Sequence, residues 1–195
     1  MSNLHIEARK GTKALHALRA EWQALHRVAN ASPFLAWEWA VTWQQWLGQG
    51  QTPLLLCART NSQLVGLLAL HEQQQRLAGL SVQHLSWLGG GVSGADYLDV
   101  LTHPENRPAI IAALFSHLKE RVSFDVLDLE GIAADSLSLP LLLRDSNDSK
   151  VTPLYVCPQI DLRKGWESVL KQSKRADNFK RRLRQLRARG QMHTQ

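Results

Sequence analysis

A chain of 195 residues, 44% hydrophobic and 21% charged, is long enough to bury a sizeable core and is expected to hold one domain or one and a half. Its net charge is +6, yet residues 163–190 carry eleven Lys and Arg against Glu167 and Asp177, so that segment is +9 and the remainder −3. The basic balance is therefore local, and it calls for a phosphate-bearing ligand, a nucleic acid or another domain. The first ten residues show no apolar leader, and the apolar runs 64–70 and 137–143 fall far short of the ~20 residues a membrane span needs. A soluble, cytoplasmic protein is expected.

In chain order, residues 4–10 read as a short strand. Residues 12–29 read as a helix, with Leu15, Leu18, Trp22 and Leu25 on one face. Ser32-Pro33 opens a second helix that carries Trp39, Trp43 and Trp46 on a stripe and stops at Gly48. Residues 53–60 and 64–71 are strands joined by the Asn61-Ser62 turn, a hairpin. Residues 82–88 are a further strand, followed by a glycine-rich loop and a short strand at 97–101. Residues 109–122 form an amphipathic helix through Ile110, Ile111, Leu114, Phe115 and Leu118, and 124–129 alternates as a strand. Residues 137–143 are a short helix or loop, 145–150 a polar loop and 155–162 a last strand. The cationic helix follows, with Ala176, Phe179, Leu183 and Leu186 as a narrow apolar stripe and Gly190 as its stop. Strands alternating with helices, with one clear hairpin, predict an α/β layered domain built on a mixed sheet.

Two glycine-rich stretches invite a ligand reading. Gln45-Trp-Leu-Gly48-Gln-Gly50 spells the Q-x-x-G-x-G of an acyl-CoA pyrophosphate loop, but such a loop must open a helix, and here a helix precedes and a strand follows. These glycines are expected to cap and turn the chain. Gly89-Gly-Gly-Val-Ser-Gly94 spells G-x-G-x-x-G, yet no helix start follows it, so it is expected to be a loop shaping a cleft rather than a dinucleotide cradle. Asp96, Tyr97 and Asp99 come next; paired carboxylates can accept a proton or grip a substrate amine, and equally they are common on polar loop rims. The histidines and the two cysteines, Cys57 and Cys157, show no metal spacing, and the thiols read as buried and free.

Taken together, several segments resemble a known family. They are Ser32-Pro-Phe34 with Trp37, Trp39 and Trp43; Leu64-Val-Gly66-Leu-Leu-Ala-Leu70; Trp87-Leu-Gly-Gly90 leading to Asp96-Tyr97-Leu-Asp99; Phe124-Asp-Val-Leu-Asp-Leu129; and Trp166 with Ser173-Lys-Arg175, Asn178 and Lys180-Arg-Arg182. In this order they resemble the CelD/BcsL-like acetyltransferases of cellulose biosynthesis, a branch of the GNAT superfamily of N-acetyltransferases, over about residues 10–190; a more distant similarity is to FemAB-type aminoacyltransferases. The resemblance implies a GNAT-like mixed, mainly antiparallel sheet flanked by helices over residues 1–162. It implies that the basic helical segment 163–195 leads to a second GNAT half, as a missing C-terminal domain or a partner chain. It implies acetyl-CoA or another acyl-CoA as donor, no metal, and a small-molecule or sugar-linked acceptor. Asp96, Tyr97 and Asp99 would line the acceptor cleft, and Lys174, Arg175, Arg181 and Arg182 would meet phosphate.

Arg187-Ala-Arg-Gly190-Gln-Met192 begins the donor-loop pattern but Met192 breaks it, so no correctly placed acyl-CoA loop is found. The expectation is an N-terminal half, inactive alone. The rival expectations are a non-catalytic interaction domain and a polyanion-binding or nucleic-acid-binding module using residues 171–189.

Overall fold

A computed structural model describes residues 4–144, 148–173 and 175–190 and divides the chain into two compact units, Met1–Val151 and Thr152–Gln195. In the first unit the chain runs β1 (Leu4–Lys10), α1 (Gly11–Ala17), α2 (Arg19–Ala29), α3 (Trp37–Trp46), β2 (Thr52–Thr60), β3 (Gln63–Leu77), β4 (Leu80–Trp87), β5 (Leu101–Thr102), α4 (Arg107–Arg121), β6 (Val126–Asp128) and α5 (Ser138–Leu143). The strands lie in the order β1-β2-β3-β4-β6, with β5 beside β3. Every pairing is antiparallel except β4 with β6. The unit is thus a mixed α/β fold on a mainly antiparallel sheet flanked by helices.

The sequence of β2 explains the layering. Leu54, Leu56 and Ala58 enter one apolar cluster and Leu55 and Cys57 the other, so both faces of the strand are covered. That is why 53–58 is a continuous apolar run rather than an alternation. Helices α1 to α3 cover one face through Leu15, Leu18, Trp22, Leu25, Trp37 and Trp43. Helix α4 covers the other through Ile110, Ile111, Leu114, Phe115 and Leu118. It lies so close to β3 that a Cβ on Gly66 would stand 2.3 Å from Ile110 Cγ2. Lys119 of α4 donates from Nζ to the carbonyls of Leu142 (3.0 Å) and Arg144 (2.8 Å), tying down the end of α5.

The β3 strand has a divided edge. Residues Gly66 and Leu67 pair with β5, whereas Leu70 to Leu77 pair with β4. Residues 88–100 bridge the change of partner, and this bridge carries the glycine-rich loop and the acidic pair.

Several expectations shift. The first helix is two: the chain turns at Leu18 between α1 and α2. Pro33–Leu35 is a single 3-10 turn, with the Ser32 hydroxyl accepting from Phe34 N at 3.3 Å, and α3 begins only at Trp37. Trp46 is 68% exposed and leaves the apolar stripe, while Trp37 is buried. A second hairpin appears at Ala78-Gly79, where both residues have positive φ, the geometry that a two-residue hairpin turn requires.

The second unit holds α6 (Trp166–Gln172) and α7 (Ala176–Arg189). The strand expected at 155–162 is not there: the segment joins no ladder. Pro158 removes a backbone donor from it, and Val156, Ile160 and Leu162 remain exposed.

Candidate functional site

The bridge at 88–100 is held by tryptophans. Trp39 and Trp43 are four residues apart on α3, so their indoles point the same way. Each donates its Nε1–H, at 3.0 Å, to one of two consecutive carbonyls, Gly89 and Gly90. The Ser93 hydroxyl donates to the Gly89 carbonyl at 2.7 Å. Gly89 has φ +100 and a Cβ there would lie 2.8 Å from Trp39 Cδ1, so the glycine answers a packing requirement. The loop therefore turns its carbonyls onto indole donors and is followed only by the single 3-10 turn Gly91–Ser93, an arrangement unlike a dinucleotide cradle.

Asp99 is occupied in the same way. Its Oδ1 accepts from Val100 N at 2.7 Å and from the Ser138 hydroxyl, and its Oδ2 accepts from the Ser136 hydroxyl at 2.6 Å. Ser138 is fully buried, so the carboxylate pins the start of α5 to the bridge. Asp96 is half-buried, and Tyr97 is 39% exposed with φ +57, a conformation an aromatic residue seldom adopts outside strained sites. The bridge thus divides its candidates. Asp99 is turned into the structure, and Tyr97 is turned toward solvent.

His71 lies behind this loop. Its ring stacks on Trp43 with centroids 5.0 Å apart, and its Nδ1 is 3.0 Å from the Trp87 carbonyl, the geometry of a neutral imidazole donating there. Burial pushes its pKa down to about 4, against the opposing pull of that hydrogen bond. Cys57 is buried and its thiol is pushed up to about 12 by desolvation, which makes it inert as a nucleophile. On the edge of the sheet, Arg59 donates to Glu7 at 2.6 Å and to Glu21 at 2.5 Å, and those hydrogen bonds hold both carboxyls below their ordinary range. This is a brace between β1, β2 and α2. Among the described residues no group of three or more His, Cys, Asp or Glu could hold a metal ion.

The stretch 45–50 sits at the C-terminal end of α3, as its order in the sequence requires. The Gln44 side-chain amide donates to the carbonyls of Gly48 (2.8 Å) and Gln51 (3.0 Å), and a Cβ on Gly48 would meet the Trp43 ring at 2.6 Å. A helix C-terminus presents carbonyls and the negative end of the dipole, the wrong polarity for a pyrophosphate.

Two helices of the first unit come after strands: α1 begins immediately after β1, and α4 follows β5 across residues 103–106. Beyond β5 the chain turns at Asn106, with φ +57, and α4 opens on Arg107-Pro-Ala-Ile-Ile-Ala112 without a side-chain cap or an acidic residue in its first turn. This spells R-x-x-I-x-A, with Ile110 where the donor-loop pattern has its first glycine. Ile110 is 4% exposed and packs on Gly66, so its side chain is directed to the sheet and away from the first turn. No glycine marks this turn in the sequence, and Arg107 at the head of the helix is the local feature that remains.

Of the cationic candidates, Arg175, Arg181 and Arg182 are exposed in the second unit, and Lys174 lies outside the described residues. Arg181 donates to the Asn178 side-chain carbonyl at 3.1 Å. Asp96, Tyr97 and Asp99 belong to the first unit.

No family model matches the chain, and no curated protein matches it. Solved structures do. A ribosomal-protein-alanine N-acetyltransferase from Brucella melitensis biovar Abortus 2308 is 15% identical, over 80% of this chain and 99% of its own, with a TM-score of 0.44. An aminoglycoside acetyltransferase from an uncultured soil metagenomic sample, in complex with trehalose, is 12% identical over 81% and 97%, with a TM-score of 0.46. A predicted acetyltransferase with acetyl-CoA from Clostridium acetobutylicum is 13% identical over 83% and 99%, with a TM-score of 0.39.

Proposed function

We propose that this chain is the N-terminal half of a GNAT-type acyltransferase, moving an acetyl or other acyl group from CoA to an amine or hydroxyl in polysaccharide or cell-envelope synthesis. The observation that carries the reading is the β5–α4 passage: a strand of a mainly antiparallel sheet leads into a long helix whose first turn is uncapped and headed by Arg107. Free backbone N–H groups at a helix N-terminus favour phosphate. In acyl transfer the acceptor attacks the thioester carbonyl, backbone donors steady the oxyanion, a base takes the acceptor's proton, and the CoA thiolate leaves. In this reading Asp96 and Tyr97 meet the acceptor, Asp99 positions the loop that bears them, and Lys174, Arg175, Arg181 and Arg182 meet phosphate. A second GNAT half, in the same chain or a partner, supplies the remainder of the active unit.

Calorimetric titration with acetyl-CoA tests the donor site. Saturable binding that survives moderate salt and is lost in Arg107→Glu supports it at α4. Absence of saturable binding overturns donor binding by this half and moves that role to the second.

A further inference from the structure

Helix α7 carries, besides the Arg181 and Arg182 that the acyltransferase reading places on phosphate, an apolar stripe which that reading does not use. At 3.6 residues per turn, Ala176, Phe179, Leu183 and Leu186 fall on one stripe. Lys180, Arg184 and Arg187 border it on one side, and Arg182 and Arg189 on the other. Phe179 is 40% and Leu186 54% exposed. Trp166 of α6, 44% exposed, meets Phe179 edge-on with centroids 5.4 Å apart, which extends the apolar stripe with a second aromatic. Among the described residues no cation of α7 forms an ion pair, and the one acid of the helix, Asp177, lies in its first turn.

We propose that α7, with Trp166, lies in the plane of an anionic lipid surface. A helix of this kind, strongly polar yet sharply two-sided, with Phe and Leu on one face and arginines beside them, seats its apolar stripe at the headgroup boundary and its cations on lipid phosphates. The charge is complementary to such a surface, and the bordering arginines have aliphatic stems that reach past the stripe. A nucleic acid would engage the same cations but leave Phe179, Leu186 and Trp166 in water, which is why the lipid surface is the better occupant. Among the described residues no helix is long and apolar enough to cross a membrane, so the contact is peripheral. This inference shares only Arg182 with the acyltransferase reading and rests on the apolar stripe and on cations that reading leaves aside.

The test is co-sedimentation of the 195-residue chain with vesicles of phosphatidylcholine alone or with about one-third phosphatidylserine, at low and moderate salt. Binding is expected to the anionic vesicles, roughly tenfold or more above the neutral ones and falling with salt. Arg184→Glu with Arg187→Glu should weaken it at least ~tenfold. Phe179→Ser with Leu186→Ser should weaken it by a similar factor, while Phe179→Trp retains it. No binding to anionic vesicles, or binding indifferent to the Phe179 and Leu186 changes, overturns the proposal. A duplex oligonucleotide held more tightly than the vesicles, through the same arginines, assigns the helix to nucleic acid instead.

Discussion

Asp99 shows how a residue that reads as chemistry can be architecture. Its carboxylate accepts from Val100 N and from the hydroxyls of Ser136 and Ser138. Removing it leaves the buried Ser138 hydroxyl without its acceptor, and each such loss costs about 1–3 kcal/mol. Asp99→Ala should therefore lower unfolding stability by roughly 2–4 kcal/mol, and Asp99→Asn, which keeps one acceptor, by less. Urea denaturation measures both, and an unchanged midpoint in Asp99→Ala would return the residue to the functional candidates. His71 makes a prediction in pH. Its folded pKa, about 4, lies below the unfolded value near 6.5, so the unfolded chain takes up a proton first as pH falls. The stability that His71 supplies is complete above pH ~6.5 and is lost as pH falls toward 4, by about 3 kcal/mol at the limit. Glu7 and Glu21, whose folded pKa values are depressed, add stability that is present above the ordinary carboxylate pKa and is lost as pH falls from there through their lowered folded values. His71→Phe should therefore reduce the loss of stability between pH ~6.5 and ~5; an unchanged slope in the variant would refute this assignment.

At the scale of elements, the approach of α4 to β3 is the contact most sensitive to one atom. A Cβ on Gly66 would sit 2.3 Å from Ile110 Cγ2, 3.1 Å from Ala58 Cβ and 3.3 Å from Leu114 Cδ1. Gly66→Ala should destabilise by about 1–3 kcal/mol through overpacking, and Ile110→Ala by about 2–4 through the cavity it leaves. The double variant should lose at least about 1 kcal/mol less than the sum, because each change relieves the other. Additive losses would mean that α4 shifts as a body. The α4 face itself was legible, since five apolar residues at helical spacing need only local periodicity, and so were β2 and the Asn61-Ser62 turn. What escaped depends on distant partners. Leu18 continues the apolar face of Leu15 and Trp22 at helical spacing, so nothing local marks the turn between α1 and α2. Trp46 falls on the same helical stripe as Trp39 and Trp43, but no packed neighbour covers it. The outer arm of β3 runs through Gln73, Gln74 and Gln75, which give no apolar alternation and pair instead with β4. The bridge at 88–100 was recognisable as a loop, but its indole donors come from residues some fifty positions earlier, and no spacing rule encodes that.

Over the whole molecule, the buried apolar residues concentrate in one unit. Of those buried among the described residues, all but Leu170 lie within Met1–Val151. The sheet and both its helical covers are complete there, whereas the second unit has two helices, an extended stretch and a large share of exposed apolar side chains. Stability at this scale follows buried area, so the first unit should fold by itself and the second should not. A fragment of residues 1–151 should unfold in one cooperative transition. Its melting temperature should stay within about 4 °C of the full chain, corresponding to roughly 1 kcal/mol for a domain of this size. Its urea m-value, which tracks the surface exposed on unfolding, should change by no more than about a tenth. Residues 152–195 alone should show little cooperative unfolding by the same probes, since short helices without a packed face are marginal in water. A fragment 1–151 that melts broadly, or well below the full chain, would mean that residues 152–195 are needed for the stability of the first unit.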